Sequence, residues 1–309
     1  MLDTVVPTLG SDGASPSIIG QKQGVCCDMR IFGTGLVCAR GRGKEAVISQ
    51  DWKPPEFIEV PFQEELFPVY AVAPETLKDK AVLGGMRRAD RFSKMATLAA
   101  HDAVADSGIE LENPERVGII FATAFGPHNT TFRFQDDIIE YGDGGVSPTI
   151  FSNSVHNAAV SYISRALGIK GPTWTVTGFR DPFGQALALA QAWLAEGRCN
   201  QVLLGAGDEC GTVMEYICSE KLPIASDGKV SENEYVPGEG AAFFLIDNEI
   251  DGMQLEIPAE SHALQFGNML TGKAMDCAAT VLQNKMLVKK GSPSKQPASH
   301  RLEQQNPEV

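Results

Sequence analysis

Apolar and polar positions alternate along the chain in a way that predicts strands and helices in turn. MRIFGTGLVCA is a short apolar strand that contains Gly33 and Gly35. From about Ala89 to Ser107, the positions Phe92, Met95, Ala96, Ala99, Ala103 and Val104 recur at three- and four-residue spacing. That spacing predicts a helix, with Gly108 as its stop. RVGIIFATAFG is a continuous apolar run bounded by turns, the pattern of a strand buried on both faces. SNSVHNAAVSYISRALG reads as a helix with a Ser or Asn cap and Gly168 as its end. TWTVTG, QVLLGAGDE and GEGAAFFLID read as further strands. The alternation predicts an α/β fold with buried strands.

DPFGQALALAQAWLAEG is the most informative helix. Asp181 suits the N-cap, Pro182 the first helical position and Gly197 the residue beyond the last turn. Phe183, Leu187, Leu189, Trp193 and Leu194, with the intervening alanines, cover nearly the whole circumference, which predicts burial in a large core. The N-terminus then points outward with unpaired N–H groups and a positive dipole end. A thiol there would have a lowered pKa and a ready oxyanion site. The chain instead places Phe179, Arg180 and Asp181 at that point, and a guanidinium cannot act as a nucleophile.

The remaining segments set the organisation. Residues 1–28 are polar and rich in Gly, Ser and Pro, so they are expected to lack fixed structure. Gly41 to Leu83 carries Pro54, Pro55, Pro61, Pro68 and Pro74 and is expected to be coil with short strands. Residues 127–148 form a polar excursion that holds Phe132 and Phe134. A length of 309 residues allows one large or two ordinary domains. The net charge of −13 argues against nucleic-acid and anionic-membrane binding. Arg87, Arg88, Arg91 and Lys94 gather at one helix start, either as a solvated face or as a docking patch for an acidic carrier. The seven cysteines are scattered, with no CxxC and no Cys/His cluster at metal spacing, so no metal is expected. No run of about 18 apolar residues and no secretory signal is visible, and a cytoplasmic location is expected. GTG at 33–35 is not GxGxxG, so no dinucleotide cofactor is expected.

Six ordered segments resemble the β-ketoacyl synthases of the thiolase superfamily. They are IFGTGLVCA, GGMRRADRFSKMATLAAHDAVADSG, RVGIIFATAFG, FSNSVHNAAVSYISRALGIKGPTWTVTG, GRCNQVLLGAGDE and PGEGAAFFLID. The resemblance implies a thiolase-like layered α/β/α/β/α fold, with the N-terminal half well matched and the C-terminal half largely truncated. On it the chain divides into a disordered segment at 1–28, a synthase-like domain at 29–250, a remnant of the second half at 251–288 and a disordered tail at 289–309. The family uses an elbow cysteine that takes an acyl chain from an acyl carrier protein, and two histidines that drive decarboxylation and carbon–carbon bond formation.

Carried over in register from Gly171-Pro172, the nucleophile position is Arg180. FGNMLTGKAMDCAATVLQNK resembles the family's glycine-histidine helix, and there the histidine position is Asn268, with the preceding lysine near Ala263. No counterpart of the other histidine is found. Phe132, Phe134, His156 and Phe179 are the expected substrate-binding residues. Each also has a structural reading; His156 on an apolar helix suits a hydrogen-bonded structural role. Cys210, Cys199 and Cys277 read as core residues, and His262, offset by about six positions from Asn268, is out of register for the family's histidine. Asp208-Glu209 reads as a solvated loop or the partner of a buried Arg, and Glu239 as a brace of the core. Arg180 is expected to fill or salt-bridge the vacant pocket, with Asp181 or Glu209 as its partner. The resemblance then implies a non-condensing, chain-length-factor-like subunit, paired with an active ketosynthase or with itself, that serves an acyl carrier protein. The alternative is an active acyltransferase that uses unusual residues, and a third reading is an unstable fragment with an exposed apolar face.

Overall fold

The computed structural model describes residues 29–48, 54–60, 66–111, 113–221, 223–224, 235–247, 253–254, 267 and 269–291. The strands are β1 Arg30–Cys38, β2 Gly41–Arg42, β3 Glu56–Ile58, β4 Phe67–Val69, β5 Val117–Thr123, β6 Thr173–Thr177, β7 Gln201–Asp208, β8 Gly240–Asp247 and β9 Met253–Gln254. The helices are α1 Glu45–Ile48, α2 Lys80–Leu83, α3 Arg91–Ser107, α4 His128–Tyr141, α5 Pro148–Asn153, α6 Ala158–Leu167, α7 Pro182–Ala195, α8 Thr212–Lys221 and α9 Gly272–Gly291. One mixed sheet runs β2-β1-β8-β7-β5-β6, with β9 added to β1, and β3-β4 form a separate pair. β5 is parallel to β6 and β7, whereas β8 is antiparallel to both β7 and β1.

The sheet is apolar on both faces because its strands alternate two apolar sets. On one face, Phe121, Leu203, Ala241 and Phe243 pack with α3 and α6. On the other, Ile120, Leu204, Ala242, Phe244 and Ile246 pack with α7 and α9. Gly33 and Gly35 explain GTG, since a Cβ at either would run into the α3 backbone at Ala103 or Ala99. The motif lets a helix lie directly on a strand. α3 begins at Asp90, whose Oδ1 accepts from Ser93 N at 2.6 Å, and ends at Gly108 with φ 65°.

Four expectations change. The 127–148 excursion contains the helix α4, whose sole buried residue is His128. SNSVHNAAVSYISRALG is not one helix: α5 ends at Asn153, α6 begins at Ala158, and His156 lies exposed in the turn between them. α7 is not buried all round, because Gln185, Ala188, Ala192 and Ala195 are exposed. Those residues share one face, and the sheet covers only the other among the described residues. Among the strands that the apolar pattern predicts, β6 is not buried; it is an edge strand with Trp174 59% exposed. Residues 1–28 and 292–309 lie outside the described residues.

Candidate functional site

β6 runs out at Thr177, and the backbone turns sharply into α7. Gly178 N donates to Thr123 O at 3.3 Å, which ties the turn to the end of β5. Asp181 has φ 48° and ψ 55°, the sole non-glycine positive φ among the described residues. Left-handed backbone at a non-glycine residue is a strained position of the kind found at functional sites. The left-handed residue thus stands one place after Arg180. The Asp181 carboxylate folds back over the first turn of α7 and accepts from Gly184 N at 3.3 Å. Lys273 on α9 holds the same oxygen at 3.3 Å. Arg180 is exposed, and its carbonyl accepts from Gln185 Nε2 at 2.7 Å. The expected pairing of Arg180 with Asp181 or Glu209 is therefore not the one observed. Asp181 takes Lys273, and Glu209 accepts from Asn129 N at 3.0 Å.

Beside the elbow, four rings form a line. Phe179 packs on Phe125 at 5.4 Å between centroids, Phe125 meets His128 edge-on at 6.2 Å, and His128 meets Phe132 at 6.4 Å. His128 is buried, and neither ring nitrogen has a partner. Burial lowers its pKa to about 4, so the ring is neutral. Of the residues expected to bind substrate, Phe179 and Phe132 join this line. Phe134 instead packs on Phe151 at 5.4 Å. His156 sits elsewhere, in an open groove of about 430 Å³ that it shares with Trp174, Thr173, Thr175 and Thr177 of β6. Its ring lies where a Cβ on Gly126 would fall, 2.6 Å from Cδ2, and Gly126 has φ 62°. Asn268, Ala263 and His262 lie outside the described residues.

Phe125 also borders a cavity of about 30 Å³ lined by Asp208, Glu209, Cys210, Glu215, Tyr235 and Met269, among others. Asp208 and Glu209 are buried rather than in a solvated loop. Asp208 accepts from Thr123 Oγ1, Ala124 N, Phe125 N and Thr271 Oγ1 at 2.7–3.0 Å, joining β5 to the start of α9. Burial raises its pKa all the same. Burial likewise pushes Glu209 up to about 8 and Glu215 up to about 7. Both are therefore protonated over much of the neutral range. Glu215 Oε1 accepts from Gly211 N at 2.8 Å, while its buried Oε2 has no partner.

The carboxylate that meets the buried Arg is Glu239. It accepts from Arg91, Val72 N and Cys210 N. Arg91 is half-buried and ion-paired with Glu239, yet it lines the same groove as Arg88 and Arg133. Arg88 and Arg133 remain exposed, and both line a groove of about 410 Å³ with Asn129, Thr130 and Asn153.

Three of the described thiols, Cys199, Cys210 and Cys277, are poorly placed to act as nucleophiles. Burial raises Cys199, burial and nearby Glu239 and Glu215 raise Cys210, and burial pushes Cys277 up to about 12. A thiol in such surroundings stays protonated and inert. Among the described residues no group of three or more His, Cys, Asp or Glu is arranged to hold a metal ion. No helix among them is long and apolar enough to cross a membrane.

Sequence reasoning missed Lys273, Phe125, His128 and Arg133. Phe125 and His128 fall in FGPH directly after β5, where a chain leaving a buried strand begins to face the site.

A mixed sheet covered by helices on both faces, with a strained turn that feeds a helix packed on it, places the chain in the thiolase-like α/β class. Residues 71–220 match the family model described as "Beta-ketoacyl synthase, N-terminal domain". This match covers 150 of the 309 residues, and over it the chain resembles a β-ketoacyl synthase N-terminal domain. A Streptomyces halstedii protein described as polyketide beta-ketoacyl synthase 1 is 26% identical over 184 residues, covering 52% of this chain and 43% of that protein. The chain thus spans about half the length of this curated relative. The structure titled "The ishigamide ketosynthase/chain length factor" superposes with a TM-score of 0.59 at 18% identity, over 74% of this chain and 64% of the other. The ketosynthase of AntDE:AntF, solved with a type II acyl-carrier protein, superposes at 0.55 with 20% identity, over 71% and 62%.

Proposed function

We propose that this chain is a non-condensing, chain-length-factor-like subunit that pairs with an active ketosynthase in polyketide or fatty-acid assembly. The observation that carries the reading is the elbow. The fold that would present a nucleophile is present, with Arg180 exposed at the expected position and Asp181 in the strained one. The cavity beside Phe125 holds Glu209 and Cys210, and burial raises the pKa of both.

The partner surface in this reading is β6. Its outer edge has no strand partner among the described residues, and it carries an exposed Trp174 beside the His156 groove. An unpaired edge with a large exposed aromatic is suited to pairing with another chain. The neighbour described as a ketosynthase/chain length factor supports a ketosynthase as that chain. The groove between Arg88 and Arg133 suits the acidic surface of an acyl carrier protein, and the AntDE:AntF neighbour supports a carrier as partner. α9 is read here as the remnant of the family's second half. The expected setting is the cytoplasm.

Two measurements test the reading. The natural chain, incubated with an acyl thioester and weighed intact, should gain no acyl mass. Co-expressed with a ketosynthase, it should elute as a heterodimer. Acylation of the natural chain would overturn the proposal, and the modified residue would identify the true nucleophile.

A further inference from the structure

The absence of a thiol is one obstacle to acyl transfer at the elbow; the geometry points to a second. We infer that Asp181 is a built-in anion that closes the mouth of α7, latched by Lys273. The inference rests on the elbow reading above and concerns what a nucleophile would meet if one were placed there.

Three observations converge on Asp181. Its left-handed backbone turns the side chain back over the helix that it caps, and the carboxylate accepts from Gly184 N at 3.3 Å. Position 184 is a glycine, and a Cβ there would collide with the Asp181 carboxylate. The absent side chain at 184 leaves room over the first turn, and the Asp181 carboxylate occupies it. Lys273 reaches across from α9 to the same oxygen at 3.3 Å and holds it in place.

The consequence follows from charge. The first turn of a helix offers free N–H groups and a positive dipole end, the features that stabilise a thiolate or a developing oxyanion. Here an internal carboxylate already takes one of those donors and brings its own negative charge. A thiol placed at 180 would be held protonated by its neighbour. An oxyanion formed beside it would face like charge. Lys273 offsets part of this charge, but it also locks the carboxylate over the helix end.

The experiment compares three forms of the full chain, R180C, R180C/D181N and R180C/D181G. Each is incubated with the hexanoyl thioester of N-acetylcysteamine, and acyl gain is followed by intact mass. In the step measured, the introduced thiolate attacks the thioester carbonyl. A new carbon–sulfur bond forms as the old one breaks, and the proton lost by the thiol ends on the released N-acetylcysteamine. D181N keeps the cap and the left-handed backbone and removes only the charge; glycine also empties the space. Near-UV circular dichroism confirms that each variant is folded.

The expected result is about a tenfold faster acylation of D181N over R180C alone, since one unit of thiol pKa changes the thiolate fraction about tenfold. D181G should be at least as fast as D181N. A ratio below about threefold for both double variants overturns the inference, whether the three rates are all high or all near zero. Acylation of the natural chain in a parallel sample would instead overturn the non-condensing reading and leave the Asp181 comparison standing.

Discussion

Glu239 is the strongest single test of how the site is braced. The residue is 1% exposed and joins three separated segments. It accepts from Val72 N at 2.6 Å, from Cys210 N at 3.2 Å and from the Arg91 guanidinium, whose Nε lies 3.1 Å from both oxygens. Arg91 Nη2 also donates to Val72 O. E239A would strand two backbone donors and leave Arg91 without its counter-charge. Breaking a buried pair from one side costs about 3–5 kcal/mol. The Arg91 side chain is 33% exposed, so water recovers part of its solvation. A loss of about 3 kcal/mol is therefore expected for E239A, and roughly 2 kcal/mol for E239Q, which keeps one acceptor. For a domain of this size that is a fall in Tm of about 6–12 °C. Thermal melts by near-UV circular dichroism and urea titrations at fixed pH would measure it. R91M alone should also destabilise, and a double-mutant cycle of E239Q with R91M should give a coupling above about 1 kcal/mol. If E239A loses less than about 1 kcal/mol, or the cycle shows no coupling, the brace described here is wrong.

Four further outcomes are expected. Folded Glu209 and Glu215 hold protons up to about pH 8 and pH 7, against ordinary values of 4.5, so the folded state binds the extra protons. Stability from these two groups is full below about pH 4.5 and is lost as pH rises to about 8; E209Q should flatten that limb in urea titrations. His128 has the opposite sign. Its folded pKa of about 4 lies below the ordinary 6.5, so its contribution is full above pH 6.5 and is lost as pH falls toward 4. H128F should remove that limb, read by urea titration across pH 4–7. G35A puts a methyl into the Ala99 carbonyl and should cost roughly 2–4 kcal/mol by urea titration. W174E should leave the Tm of the isolated chain within about 2 °C and abolish co-elution with the ketosynthase, since an exposed residue contributes to assembly rather than to the core.

Much of the fold was legible because it is written in local signals. β5 is a continuous apolar run, α3 ends at its Gly108 stop, and α6 ends at the left-handed Gly168, as the glycine suggested. The elbow was legible too, as a strand followed by an Asp-Pro helix start. What was missed depends on distant partners. Asp208 looked like a loop acid because Thr123 and Thr271, which satisfy it, are far away in sequence. Arg91 looked like a surface cation because Glu239 lies 148 residues away in sequence. α4 was missed because its sequence is polar on balance and only His128 is buried. The Asp181–Lys273 pair was invisible for the same reason as Asp208, since nothing near either residue announces the other.

The strand order also sets a timetable for synthesis. β8 lies between β1 and β7 and pairs with both, with Cys38 opposite Gly240 and Arg30 opposite Asp247. After β1 leaves the ribosome, roughly 200 further residues must follow before its central neighbour exists, which at about 5–20 residues per second is roughly 10–40 s. During that interval β1 and the apolar face of α3 have each other but no completed sheet to rest on. The nascent chain must carry both exposed, so its yield in a cell should depend on chaperone supply and translation speed more than its final stability would suggest.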